Sequence, residues 1–272
     1  MKIGVVQFDI RLKEKEQNLA KAIKFIKEAA ARGAEIICLP SNFLSELSEK
    51  YTGEELCEYA ESLDGPSLAT LEDVARELGV YIVAGTIFEH FKSGVADTAA
   101  LISPDDGVVG AYRRTHLIDE STIHETQLGM VAGGDYPVFE ILGFKIGIMI
   151  DIDLDYPEVA RIYRTQGAEL IFYPSHCSSG FVDSHRFQTL SRAYENQLYL
   201  VDVNRVGFSE NELYLGDSRI LSPRGDVVVA AGKHLEGVAV GEADVAFVRD
   251  YREAFDLLAG RNLESYAGAL VS

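Results

Sequence analysis

The chain has 272 residues, 47% of them hydrophobic, which is enough apolar material for one α/β domain with a large core, and residues 1–272 read as a single domain. A formal charge of −18, unrelieved by any Lys/Arg-rich run, repels a phosphate backbone and argues against nucleic-acid binding. No apolar run approaches the roughly 20 residues of a membrane span, and Met1 leads straight into a strand-like segment without room for a signal peptide.

The segment Ile3-Gly4-Val5-Val6-Gln7-Phe8 predicts the first strand. A helix over residues 15–32 follows, with Leu19, Ala22, Ile23, Ile26, Ala29 and Ala30 on one face, Lys and Glu on the other, and Gly33 as its stop. Glu35-Ile36-Ile37-Cys38-Leu39 is the second strand. Ser67 is placed to cap a second helix whose Leu68, Leu71, Val74, Ala75 and Leu78 form a stripe ending at Gly79. Further strands are predicted near 81–85, 98–103, 108–112, twice within 137–150 split at Gly143, and at 169–173, 198–203, 218–221, 227–230 and 238–243. Helices are predicted near 157–167, 185–197 and 245–255. The glycines are scattered as turn residues, with no G-x-G-x-x-G or P-loop, so no cofactor is expected. Three widely spaced cysteines, Cys38, Cys57 and Cys177, lack a C-x-x-C pair and argue against disulfides or a zinc site, which fits a cytoplasmic protein.

Several segments carry a larger pattern. Gly33-Ala34-Glu35-Ile36-Ile37-Cys38-Leu39-Pro40 runs into Ser41, and Gly110-Ala111-Tyr112-Arg113-Arg114-Thr115-His116-Leu117 contains Arg114. Gly147 leads through Asp151-Ile152-Asp153-Leu154-Asp155-Tyr156-Pro157-Glu158. Ala193-Tyr194-Glu195-Asn196-Gln197, Asn204-Arg205-Val206-Gly207 and Gly216-Asp217-Ser218-Arg219-Ile220-Leu221-Ser222-Pro223-Arg224-Gly225 follow. In this order, from Gln7 to about Tyr266, the chain resembles the nitrilase superfamily, the carbon-nitrogen hydrolases. The resemblance implies a four-layer αββα sandwich with two mixed sheets. It also implies a homodimer formed through the helices near 157–167 and 185–197, whose Val159, Ile162, Tyr163, Phe187, Leu190 and Tyr194 extend beyond one apolar stripe.

In that family the three marked slots hold a glutamate base, a lysine and a cysteine nucleophile; here they hold Ser41, Arg114 and Asp151. Attack on an amide needs a thiolate, a group that takes and returns protons, and a cation for the developing charge. A carboxylate attacking an amide would have to form an acid anhydride while expelling an amine, which is steeply uphill. Ser41 carries no carboxylate, and an arginine, with a pKa above about 12, stays charged. The expectation is a hydrogen-bonded Asp151–Arg114 ion pair with Ser41 in reach, in a protein without amidase or nitrilase turnover that serves in small-molecule binding, in regulation or as a structural subunit. The alternative is a hydrolase with altered chemistry that uses Asp151, Cys177 or Glu125.

The resemblance places Glu125 at a second family glutamate, able to bind a ligand amine or hydroxyl unless it is simply solvated; His116 is also kept, a candidate binding residue that reads as a structural, hydrogen-bonded histidine rather than an acid/base group. Asp151, Asp153 and Asp155 recur at i, i+2 and i+4, which on an extended strand would gather three carboxylates; the stronger reading puts Asp153 and Asp155 at a strand-to-helix bend as backbone caps, and no metal is expected. His176 and Cys177 are neighbours on an extended segment and point apart, so they are poorly placed to act on each other. Both are candidates for lining the pocket, with a small buried thiol as the other reading of Cys177. Cys38 reads as core, and Arg205, Arg252 and Arg261 as members of structural or surface pairs.

Overall fold

The structure is a computed structural model that describes residues 1–46, 51–120, 123–209 and 212–266. The first half runs β1 (Lys2–Gln7), α1 (Lys15–Ala31), β2 (Ile36–Cys38), α2 (Gly53–Tyr59), α3 (Pro66–Leu78), β3 (Tyr81–Phe91), β4 (Gly94–Ser103) and β5 (Gly107–Arg113). The short strands β6 (Asp119–Glu120) and β7 (Ile123–His124) pair with each other. Then come β8 (Phe139–Ile141), β9 (Phe144–Ile148), α4 (Pro157–Thr165), β10 (Leu170–Pro174), α5 (Val182–Asn196) and β11 (Tyr199–Val203). The chain continues through β12 (Val206–Ser209), β13 (Glu212–Leu215), β14 (Arg219–Leu221), β15 (Val227–Ala230), β16 (Gly237–Glu242), α6 (Val245–Ala254) and α7 (Leu263–Tyr266).

Two six-stranded mixed sheets result, in the orders β16-β1-β2-β3-β4-β5 and β15-β14-β11-β10-β9-β8. In the first, β1, β2 and β3 are parallel; in the second, β9, β10 and β11 are parallel. The remaining pairs in each are antiparallel.

Period-two alternation decides the layering. Ile3, Val5, Ile36, Cys38, Val83, Ala99 and Leu101 share one core with Ile146, Ile148, Leu170, Phe172 and Leu200 of the other sheet. The intervening residues Val6, Ile37, Ile82, Ala84, Ala100 and Ile102 pack instead against Ala22, Ile26 and Ala29 of α1 and Leu68, Leu71 and Ala75 of α3. Both faces of these strands are buried, which is why they read as continuous apolar runs. Val159, Ala160 and Tyr163 of α4 and Ala193 of α5 join the core of the second sheet. The αββα order is therefore as expected.

The structure extends the expected strands in one place. The strand predicted at 81–85 continues to Phe91 and returns as β4 from Gly94, with the pairing irregular between Ala84 and Ile87. That irregularity lies beside Gly85, where an added Cβ would stand 2.0 Å from the Pro40 carbonyl oxygen, so only glycine lets the chain after β2 pass this close. Helix α2, held by a Thr52–Glu55 capping box, had no strong apolar stripe to announce it. Among the described residues no helix is long and apolar enough to cross a membrane.

Candidate functional site

The three marked residues converge at the carboxyl ends of parallel strands, where open α/β sheets present ligands and chemistry. Ser41 follows β2, Asp151 follows β9 and Arg114 follows β5. Ser41 is fully buried; its hydroxyl lies 3.1 Å from Thr86 Oγ1 and donates to Asp151 Oδ2 at 2.5 Å. Asp151 adopts a φ of +45°, in the left-handed region where a non-glycine residue is strained by about 1 kcal/mol, and opens a 3-10 turn over Asp151–Asp155. Its Oδ1 accepts the backbone N–H of His176 at 2.9 Å. His176 Nδ1 lies 3.0 Å from the same oxygen without meeting hydrogen-bond geometry, so that contact is electrostatic. Tyr173 donates its hydroxyl to the Asp151 carbonyl at 2.8 Å.

The expected Asp151–Arg114 pair does not form. Arg114 donates through Nη2 to Glu125 Oε1 at 2.6 Å, and its Nε lies 3.3 Å from Asp97 Oδ2. The reason is local: Asp97 of β4 is the neighbour of Arg114 across the sheet edge and accepts nothing from Ser41, while the Asp151 oxygens are already taken by Ser41 and His176. Glu125 is neither solvated nor free for a ligand. It is completely buried, with Oε1 on Arg114 and Oε2 accepting the Ile118 N–H at 2.7 Å.

Charge balance is kept by five groups rather than by the marked three. Arg114 and His176 bring two cations; Asp97, Glu125 and Asp151 bring three carboxylates. One carboxylate is in excess. Burial, opposed by Arg114 and reinforced by Asp151, pushes the Asp97 carboxyl up to about 7, which makes Asp97 the carboxyl of this cluster that takes up a proton most readily. Burial also works to raise Asp151, but His176 and Arg114 overcome it and hold its carboxyl below the usual range. His176 is raised because the Asp151 charge outweighs the cost of burial.

Asp153 is buried and serves the scaffold. It accepts from Tyr112 Oη at 2.7 Å, Ile150 N at 3.1 Å and Thr115 Oγ1 at 3.2 Å, and His116 Nδ1 lies 2.7 Å away. His116 also stacks on Tyr156, with centroids 3.7 Å apart. Asp153 and Tyr156 together hold the His116 ring in place. Asp155 turns outward to Gln188, 2.5 Å away, instead of capping an amide. Asp151, Asp153 and Asp155 therefore face three different partners, and among the described residues no group of His, Cys, Asp and Glu is arranged to hold a metal ion.

Cys38 is buried in the core, whereas Cys177 is half-buried, so the small-buried-thiol reading is corrected. His176 and Cys177 do diverge: His176 turns to Asp151, while the Cys177 thiol donates to the Ser178 carbonyl, 3.4 Å away. Arg205 pairs with Glu46 at 2.7 Å, and Arg252 donates to the Gln197 and Ala168 carbonyls. Reading the sequence overlooked Asp97, Thr86, His185 and Asp202. Asp202 carried a usable signal, since an acid inside Tyr199-Leu200-Val201-Asp202-Val203 must be buried and therefore paired.

Two mixed sheets flanked by helices, with the marked residues at the strand ends, define a class, and comparison with known proteins gives the same answer. The carbon-nitrogen hydrolase family model matches residues 2–253, and the chain belongs to that family. It is 34% identical over 271 residues to a nitrilase of Pyrococcus abyssi, covering 98% of this chain and 99% of that one. It is 32% identical over 273 residues to an omega-amidase of Xenopus tropicalis, covering 98% and 96%. A carbon-nitrogen hydrolase from Helicobacter pylori G27 shares the fold with a TM-score of 0.90 at 20% identity, over 99% of this chain and 98% of that chain. A CN-hydrolase superfamily protein from Xanthomonas campestris, with an arsenic adduct in its active site, superposes with a TM-score of 0.84 at 25% identity, covering 96% and 97%.

Proposed function

We propose that this member of the carbon-nitrogen hydrolase family does not hydrolyse amides or nitriles through the site at Ser41, Arg114 and Asp151, and that it uses the cleft to bind a small molecule. One observation carries the reading: at the strand-to-helix turn stands a carboxylate, Asp151, whose two oxygens are occupied by Ser41 and by the backbone of His176. A carboxylate held charged by its neighbours is a poor nucleophile and a weak base, and it carries no proton to give a leaving amine. The chain Ser41–Asp151–His176 has the carboxylate in the middle, so no imidazole stands between the hydroxyl and the acid to take the serine proton, as a Ser-His-Asp relay requires.

His176 supports the binding role. It is partly exposed, biased toward its cationic form, and lies beside Asp151, which suits a small carboxylic acid or the carbonyl of a small amide. The relatives' names, nitrilase and omega-amidase, point to the same ligand class. The test is a thermal-shift screen of small carboxylic acids and amides, run beside an ammonia assay on the same compounds. A ligand that raises the melting point without ammonia release is the expected result; steady ammonia release that Asp151→Ala abolishes would defeat the reading.

We also propose that two copies pair through α4 and α5. Phe187 and Tyr194 of α5 stand 71% and 51% exposed, large apolar surface that a partner would cover. Sedimentation of the wild type and of Phe187→Asp tests this, with a dimer expected to become a monomer.

A further inference from the structure

Helix α5 and the strands β14 and β15, which end the second sheet, enclose a groove of about 410 Å³, a volume within the range of small-molecule sites. Phe187 and Leu190 of α5 line one side of it, and Val227 and Ala230 of β15 line the other. These linings are apolar. Phe187 and Val227 are exposed, so hydrophobic surface meets water here until something covers it.

Arg219 of β14 also lines the groove, although it is only 6% exposed. It donates to Asp202 Oδ2 at 3.0 Å and to Thr189 Oγ1 at 3.0 Å, and both bonds leave from Nη2. Among the described residues its Nε and Nη1 have no hydrogen-bond partner, while a guanidinium offers five N–H donors in a planar fork that matches a carboxylate. Asp202 cannot serve them as well, because His185 Nε2 lies 3.0 and 3.1 Å from its two oxygens. Burial works against a charge on His185, but Asp202 outweighs it and holds the imidazole protonated up to about 10. Two cations thus share one carboxylate beside apolar walls. The other charges at the groove do not cancel the excess: Arg186 is matched by Asp217, and Asp183 is exposed to water, which screens it.

We propose that this groove binds a monocarboxylic acid with a medium-chain aliphatic or aryl body, its carboxylate on the Arg219 guanidinium and its body between α5 and β15. The carboxylate supplies the acceptors that Arg219 lacks, and the body covers the apolar walls. Inorganic phosphate has the charge without the body, and a neutral amide has the body without the charge, so neither meets both demands. The site uses none of Ser41, Arg114, Asp151 and His176 and goes beyond the reading of the cleft. Phe187 serves as its wall whether or not a second copy rests against the same ring.

Calorimetric titration of the full-length chain with octanoate and with octanamide tests this. Octanoate is expected to bind at one site per chain and at least about tenfold more tightly than octanamide, which has the same chain length and no charge. Val227→Glu places a carboxylate in the groove wall at an exposed strand position and is expected to weaken octanoate at least about tenfold, while Asp151→Ala, which alters the cleft, leaves its affinity unchanged. Absence of octanoate binding, equal affinity for the two ligands, or undiminished affinity in folded Val227→Glu would overturn the proposal. Loss of binding in Asp151→Ala would also overturn it, by placing the acid in the cleft. The comparison of the two ligands on the wild-type chain decides alone if Val227→Glu does not fold.

Discussion

Ser41 and Asp151 are joined by a 2.5 Å hydrogen bond that crosses from one sheet to the other, since Ser41 follows β2 and Asp151 follows β9. The motif resemblance sets these two positions against a base and a nucleophile, and in this chain Ser41 donates and Asp151 accepts. The contact holds a strained turn, with Asp151 at a φ of +45°, so its removal has a readable cost.

Ser41→Ala takes away a donor to a buried carboxylate and leaves Asp151 Oδ2 unpaired. A hydrogen bond to a charged group is worth about 1.5 to 3 kcal/mol, and urea unfolding of the variant is expected to show a loss in that range. An unchanged midpoint would mean that the bond contributes nothing.

Glu125→Ala leaves the Arg114 guanidinium buried with one fewer carboxylate, a change expected to cost about 3 to 5 kcal/mol. Adding Arg114→Met should return part of that loss, because the stranded charge goes with it. A double-mutant cycle checks this; strictly additive losses would show that the two side chains do not act as a pair.

Asp97 makes stability depend on pH. Its carboxyl is raised to about 7 in the folded protein, against about 4 in an unfolded chain, so between those values the folded state holds a proton that the unfolded state has released. Stability contributed by this group therefore falls as pH rises from about 4 to about 7 and levels off above. Asp97→Asn removes the effect, and the variant should gain on the wild type across that window. The separate contributions of Asp202 and His185 cancel in the difference. A difference that stays flat with pH would rule out the proton on Asp97.

Restoring the family's reagents tests whether they alone are missing. Ser41→Glu, Arg114→Lys and Asp151→Cys made together are expected to give weak amide hydrolysis, measured as ammonia, while Asp151→Cys alone gives none, because nucleophile, base and cation act as a unit. Activity in the single variant would show that the base and the cation are supplied elsewhere.

Much of this was legible in the residues. The alternation in β1 to β4 separates helix-facing from sheet-facing positions without any structure, and the helical stripes of α1 and α3 mark which side is covered. Ser41, Arg114 and Asp151 were found from motif register. Their partners were not, because ion pairing depends on neighbours distant in sequence: Asp97 reaches Arg114 from β4 and Glu125 reaches it from a loop, and both outcompete Asp151. Likewise the pairing of His185 with Asp202 depends on how α5 lies over β11, which no spacing in the sequence specifies.

The most direct measurement of the central claim is intact-mass spectrometry of the wild-type chain after incubation with primary amides and nitriles, with ammonia followed in parallel and the triple variant as the positive control. The account predicts no adduct at residue 151 and no ammonia above the Asp151→Ala background. An acyl adduct mapped to Asp151, or ammonia release lost in Asp151→Ala, would contradict it.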